Sequence, residues 1–196
     1  MRKFMMSVMV AGATLGGASV SAAQGVLPIA VEIRGGAGFP TSDFGAASDS
    51  YDTGWGFEAN AQLRLMPMLS VYAGYDRIEF GGSDEAIVGD DGSFVDQGFS
   101  GGAMVNLPTG MMLGVTPFIR AGALYHKAEV DDLRGESDSK LGYEVGAGLT
   151  FPLGMVIAFT PAVRYRSYSP EYDTVLGSDG DDVSYVFVDL GMKFGF

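Results

Sequence analysis

The most constraining feature of this chain is an alternation of apolar and polar residues that recurs eight times, each time over nine residues or more. Residues 55–65 show it most cleanly. Trp55, Phe57, Ala59, Ala61, Leu63 and Leu65 share one parity, and Glu58, Asn60, Gln62 and Arg64 share the other. The same period runs through 29–39, 69–80, 97–107, 115–127, 141–151, 155–168 and 183–196. A period of two is that of a β-strand, not of a helix. Strands of soluble proteins cluster near five or six residues. Segments about twice that long match a tilted strand that must cross a hydrocarbon layer. One segment, 69–80, changes parity near Arg77 and Ile78, which predicts a β-bulge there.

The connections alternate as well. Residues 66–68, 108–112 and 152–154 are short turns, whereas 40–53, 81–95, 128–139 and 169–182 are long and rich in Gly, Ser and Asp. Short turns on one rim and long loops on the other form the pattern of an outer-membrane barrel. The fold expected is all-β: a closed, eight-stranded, antiparallel up-and-down transmembrane β-barrel. An even strand number puts both termini on the short-turn, periplasmic side, with the long loops extracellular.

The N-terminus carries a separate signal. Arg2 and Lys3 precede an apolar stretch to Val20, followed by Ser21, Ala22 and Ala23. This reads as a secretory signal peptide over 1–23, cleaved after 22 or 23, which leaves 24–196 as the barrel. The chain has no cysteine, so no disulfide closes the exported fold and no lipid-modified cysteine follows the cleavage region.

Charge is sorted along the chain. The four long segments hold seventeen acids and one base, Arg134, a net charge of −16. The formal total of −12 gives no basic footprint, which argues against a nucleic-acid partner. On the polar parity of the strands the signs are mixed. Glu32, Glu58, Asp76, Glu144 and Asp189 lie with Arg34, Arg64, Arg120, Arg164, Arg166 and Lys193. An eight-stranded barrel has an interior just wide enough to be filled by side chains. These eleven residues are therefore expected to form an ionic network inside it, since an unpaired buried charge is costly. Phe39, Trp55, Phe57, Tyr75, Phe99, Tyr125, Tyr143 and Tyr165 cluster on the apolar parity near the long-loop ends. Phe151, Phe194 and Phe196 do so near the short turns. Two aromatic girdles around an aliphatic band predict that this parity faces lipid.

The last twelve residues, Tyr185 to Phe196, resemble the closing strand of bacterial outer-membrane proteins. Val188, Leu190, Met192, Phe194 and the terminal Phe196 fall on alternate positions. The resemblance implies that this strand is read by the barrel assembly machinery. Together with the run Arg34 to Pro40, the chain resembles the OmpA/OmpX-like superfamily of small outer-membrane barrels. No periplasmic peptidoglycan-binding domain is expected after Phe196.

For function the leading expectation is a structural or surface-interaction barrel acting through its acidic loops. Its expected partners are outer-membrane lipid, lipopolysaccharide and external surfaces. No cofactor is expected. Asp90, Asp91, Asp179, Asp181 and Asp182 are weak candidates for a divalent cation, because hard cations want several oxygens. Their spacing does not match an EF-hand loop, and a solvated, self-repelling loop is the plainer account. A small-solute pore is the alternative, disfavoured by a filled interior. A lipopolysaccharide-modifying enzyme ranks lower. Lipid A deacylase barrels place His and Ser two positions apart, and the residue two beyond His126, the chain's one histidine, is Ala128. A soluble lipocalin-like barrel would turn the apolar parity inward, against the girdles.

Overall fold

In the computed structural model, the described residues are 29–41, 53–81, 93–108, 114–130, 135–136, 139–169 and 182–195. They form nine strands: β1 (Ile29–Pro40), β2 (Gly54–Arg64), β3 (Leu69–Gly81), β4 (Ser93–Asn106), β5 (Thr116–Val130), β6 (Gly135–Glu136), β7 (Lys140–Pro152), β8 (Ile157–Tyr168) and β9 (Val183–Phe194). Eight of them, of 11 to 15 residues each, build the wall. The two-residue β6 pairs only with the end of β5. Each wall strand pairs antiparallel with its neighbours. β1 pairs with both β2 and β9, so the sheet closes on itself and has no free edge.

Pairing is in register over long stretches. β3 and β4 match residue for residue from Leu69↔Val105 to Gly81↔Ser93. The bulge expected near Arg77 and Ile78 is absent. Arg77 pairs with Phe57 and Ile78 with Gly56 in an uninterrupted ladder. The change of pattern has another cause: the inward parity itself turns apolar there, with Ile78 and Phe80 fully buried. Two expected boundaries also move. β4 begins at Ser93 and β5 runs on to Val130, so both strands reach into what read as loop. Met155 and Val156 lie in the turn before β8 and not within it.

The apolar parity faces outward. Trp55, Phe57, Phe99, Tyr125, Tyr143, Leu190 and Phe194 are all exposed. A monomeric soluble protein rarely shows so broad an apolar belt; here the belt is the surface that meets hydrocarbon. Of the expected assembly strand, Val188, Leu190, Met192 and Phe194 point outward, and Phe196 lies outside the described residues.

Candidate functional site

Strand register brings charged residues to one level inside the cylinder. Glu58 on β2 lies opposite both Arg34 on β1 and Asp76 on β3, and Glu144 on β7 lies opposite Arg166 on β8. Because alternate residues point inward, side chains from strands far apart in sequence converge across the lumen.

Glu58 and Glu144 are the hubs. Glu58 accepts hydrogen bonds from Arg164, from Arg166 Nη2 at 3.1 Å, from Arg120 Nη2 at 3.3 Å and from Asn60 at 2.8 Å. Glu144 accepts from Arg120, from Arg166 Nε at 3.0 Å, from Arg164 Nη1 at 3.4 Å and from the Tyr72 hydroxyl. Asp189 accepts from Arg34 and from Arg164 Nε at 2.7 Å. Glu32 accepts from Arg34 Nη2 at 3.1 Å, Gln62 at 2.6 Å and Thr160. Each arginine is thus shared by two or more carboxylates. That arrangement lets several fully buried charges coexist at one level.

Aromatic rings inside the lumen support the guanidinium groups. Arg120 lies 4.0 Å from the centroid of Tyr72, and Arg164 lies 5.1 Å from that of Phe187. Small residues make room for the long ones. A Cβ on Gly146 would stand 2.6 Å from Arg164 Cγ and 2.8 Å from the Val163 carbonyl, so only glycine fits beside that arginine.

Ten of the eleven lumen residues singled out from the sequence are buried in this interior: Glu32, Arg34, Glu58, Asp76, Arg120, Glu144, Arg164, Arg166, Asp189 and Lys193. Arg64 is the exception and corrects that expectation. It is exposed at the short-turn mouth, and among the described residues it joins no ion pair of the network. The reason is its place as the last residue of β2, one ladder step beyond the level of Gln62.

Sequence reasoning missed one acid. Asp96 on β4 is fully buried and accepts from His126 Nδ1 at 2.8 Å and from the Tyr185 hydroxyl at 2.6 Å. His126 Nε2 lies 3.5 Å from Asp76 on its other side, so the imidazole sits between two carboxylates. The signal was present. Counting back by twos from inward-facing Ser100 reaches Gly98, Asp96 and Phe94, but the pattern reads as strand only from 97 and as loop up to 95, so Asp96 falls between the two. With Asp96 included, six buried carboxylates face four arginines, Lys193 and His126 among the described residues.

Above this layer, at the long-loop end, the lumen is closed by a second set the sequence did not reveal. Ile78, Phe80, Phe94, Tyr168, Val183, Tyr185 and Phe187 form one buried apolar cluster. Phe80 packs against Tyr185 at 5.4 Å and Phe94 at 6.0 Å between ring centroids. At the other end lies an open vestibule of about 330 Å³, lined by Arg64, Lys193 and turn residues. Of the cation candidates, Asp182 is exposed and accepts from Ser169 Oγ at 2.5 Å. Asp90, Asp91, Asp179 and Asp181 lie outside the described residues. Among the described residues no group of three or more His, Asp or Glu is placed to hold a metal ion.

A closed barrel with an apolar outer belt, girdles and an ionic core defines an outer-membrane β-barrel. The chain belongs to the outer membrane protein beta-barrel domain family, whose model matches residues 10–196. Solved structures share the fold. Neisserial surface protein A matches with a TM-score of 0.65 at 16% identity, covering 88% of this chain and all of that one. OprG from Pseudomonas aeruginosa matches at 0.58 and 14% identity, covering 88% of this chain and 98% of that one. Ail, the attachment invasion locus protein of Yersinia pestis, matches at 0.52 and 19% identity, covering 86% and 99%. No curated protein matches by sequence.

Proposed function

We propose that this protein is a surface-interaction barrel. The membrane wall serves as a rigid mount, and the acidic loops between the long-loop ends of the strands are the working surface. One observation carries the reading: the separation of charge between wall and loops. Inside the barrel every buried carboxylate lies against basic partners. The four segments that read as loops carry −16; Glu129 and Glu136 of that set lie on β5 and β6, which leaves −14 on the connections between strands. A charge of that size in one place acts on partners at a distance through steering and repulsion. In this orientation the loops face the medium and both termini face the periplasm.

The partner chemistry differs from that suggested by one structural neighbour. Ail has been crystallised with sucrose octasulfate, a heparin analogue. A loop surface of −14 repels such a polyanion, so basic or cation-bridged surfaces are the partners that fit here. Whole-cell binding to cationic and to sulfated surfaces, with each of the four loops deleted in turn, tests the role. Unchanged binding in all four deletions would refute it.

Anchoring in lipopolysaccharide is part of the same reading. On the outer face Tyr75, Phe99 and Tyr125 form one ladder row, and Arg77, Gln97 and Lys127 form the row directly beyond it toward the loops. Tyr75 donates to Gln97 Oε1 at 3.0 Å, and Arg77 Nη1 approaches the same oxygen at 3.4 Å. An aromatic row followed by a basic row matches the step from acyl chain to phosphate. Loss of co-purifying lipopolysaccharide from an R77Q/K127Q double variant is the expected result. The outward residues Val188 to Phe194, with Phe196, are the segment offered to the assembly machinery. Removing Phe196 should slow insertion in cells.

A pore is not favoured. The ionic layer and the aromatic cluster fill successive levels of the lumen. Absence of conductance in planar bilayers is the matching expectation. For catalysis, the His126–Asp96 pair is fully buried beneath the cluster; the hydroxyl that reaches it is that of Tyr185, itself fully buried, and no serine or threonine is hydrogen-bonded to it among the described residues.

A further inference from the structure

The three short connections, 65–68, 107–115 and 152–156, contain no Asp, Glu, Lys or Arg. Turn positions usually go to Gly, Pro, Asn, Asp and Ser. Here methionine takes many of them. Seven methionines follow residue 23, and five of these, Met66, Met68, Met111, Met112 and Met155, fall in the short connections. Met111 and Met112 lie outside the described residues. The other two turns show where such side chains go. Met66 on the β2–β3 turn is 61% exposed, and Met155 on the β7–β8 turn is 92% exposed, with Leu153 and Val156 exposed beside it. The two turns stand on opposite sides of the cylinder, three strand seams apart either way round. An apolar surface of this kind, left in water, is a liability.

Two further observations say what covers it. The first is wall length. On the outer face of β3, Arg77 is the charged residue nearest the short turn, and eight steps separate it from Leu69. At about 3.3 Å per residue and a tilt of about 40°, that stretch spans about 20 Å along the membrane normal, short of the roughly 25 Å apolar band of such barrels. The band is completed only if the turn beyond Leu69 is inside it. The second is the backbone. The Leu65 and Met66 amides both donate to the Leu69 carbonyl at 3.0 Å, the Leu153 amide donates to Ile157 at 2.9 Å, and the Val156 carbonyl accepts from Gly195 at 2.9 Å. Backbone groups paired within the fold suit a lipid surrounding, which offers them no partners.

We propose that the short-turn rim is immersed in the phospholipid leaflet, at the boundary of headgroups and acyl chains, and does not stand in water as a surface for a soluble protein. In the orientation proposed above, that leaflet is the periplasmic one. The apolar belt continues past the strand ends over Met66 and Met155. Unbranched, flexible methionine side chains adapt to a fluid neighbour. Arg64, exposed beside the β2–β3 turn, carries the charge that suits a lipid phosphate. The two ends of the barrel are then opposites: acidic loops stay in the medium, and an uncharged rim stays in lipid. Neither claim depends on the other.

The chain's single tryptophan makes the rim measurable. Trp55→Phe gives a silent background, into which Met155→Trp or Met66→Trp is introduced. Each protein is refolded into vesicles of phosphatidylethanolamine with a minority of phosphatidylglycerol, and heat-modifiable gel migration confirms folding. Part of the lipid is then replaced by phosphatidylcholine brominated on acyl carbons near the glycerol. Iodide, on both sides of the membrane, probes access from water. The parent's Trp55, exposed on the belt, is the lipid reference, and free N-acetyltryptophanamide is the water reference. Both rim variants should lose most of their emission to the brominated lipid, emit at shorter wavelength than the water reference and resist iodide. Quenching by iodide as strong as that of the water reference would overturn the inference. Emission shielded from iodide but untouched by bromine would overturn it as well, because protein and not lipid would then cover the rim. The two positions lie on separate turns, so either variant alone gives the reading if the other does not fold.

Discussion

Glu58 and Asp76 stand directly opposite each other on β2 and β3, two buried carboxylates in one cross-strand pair, and Arg166 bridges them. Its Nη2 donates to Glu58 at 3.1 Å and its Nη1 to Asp76 at 2.5 Å. Like charges in such a pair are destabilising by themselves. The planar fork of one guanidinium, reaching over from β8, turns the pair into a stable unit.

Removing that bridge leaves two carboxylates facing each other in a low-dielectric interior. Arg166→Gln should cost about 3–5 kcal/mol, the range for breaking a buried ion pair. Adding Asp76→Asn to the same chain should recover part of the loss. Urea titrations in lipid vesicles, run as a double-mutant cycle, read the coupling. Additive effects of the two substitutions would contradict the bridge.

The ring of Tyr72 and its hydroxyl serve different partners. The ring stacks under Arg120, and the hydroxyl donates to Glu144. Tyr72→Phe should cost about 1.5–3 kcal/mol, a single hydrogen bond to a charged group, with the stacking kept. Tyr72→Leu should cost at least about 1 kcal/mol more, since the cation–π contact goes too. Equal losses in the two variants would show that the ring contributes nothing.

Space beside Arg164 is set by Gly146. Gly146→Val puts a branched side chain where Arg164 Cγ and the Val163 carbonyl already lie. Overpacking of about 1–3 kcal/mol is expected. The added cost of Gly146→Val should be smaller in an Arg164→Ala background, which lacks the Cγ, than in the parent. Thermal gel-shift midpoints of the parent, the two single variants and the double variant provide the comparison.

The aromatic cluster at the long-loop end should behave as a packed seal. Phe80→Ala removes a ring that touches Phe94 and Tyr185, at a cost of about 3–5 kcal/mol. Amide exchange near Asp96 and His126 should rise, because that pair lies just beneath. Unchanged exchange would mean that the cluster does not protect the buried pair.

The outward face is testable at one position. Leu190 is exposed on the apolar belt, and its neighbour Asp189 is buried in the network. Leu190→Arg should cost about 2–4 kcal/mol in bilayers if it lies near the midplane. A loss that disappears in short-chain detergent would locate the penalty in the hydrocarbon.

Most of the wall was legible in the linear pattern. A period of two names the strand, its length indicates a membrane, and parity alone assigns Trp55, Phe99 and Leu190 outward and Glu58, Arg164 and Asp189 inward. Those are local properties, because in a strand each side chain's direction follows from its neighbour's. What parity does not carry is the partner across the lumen. That Arg164 reaches Glu58 and Asp189, that His126 lies between Asp96 and Asp76, and that Arg64 stands clear of the network all depend on register between strands up to 155 residues apart. The seal of Phe80, Phe94 and Tyr185 was hidden for the same reason. Apolar residues on the inward parity read as a slip in the pattern until closure of the cylinder brought them to one level, where burying them against each other stabilises that end of the lumen.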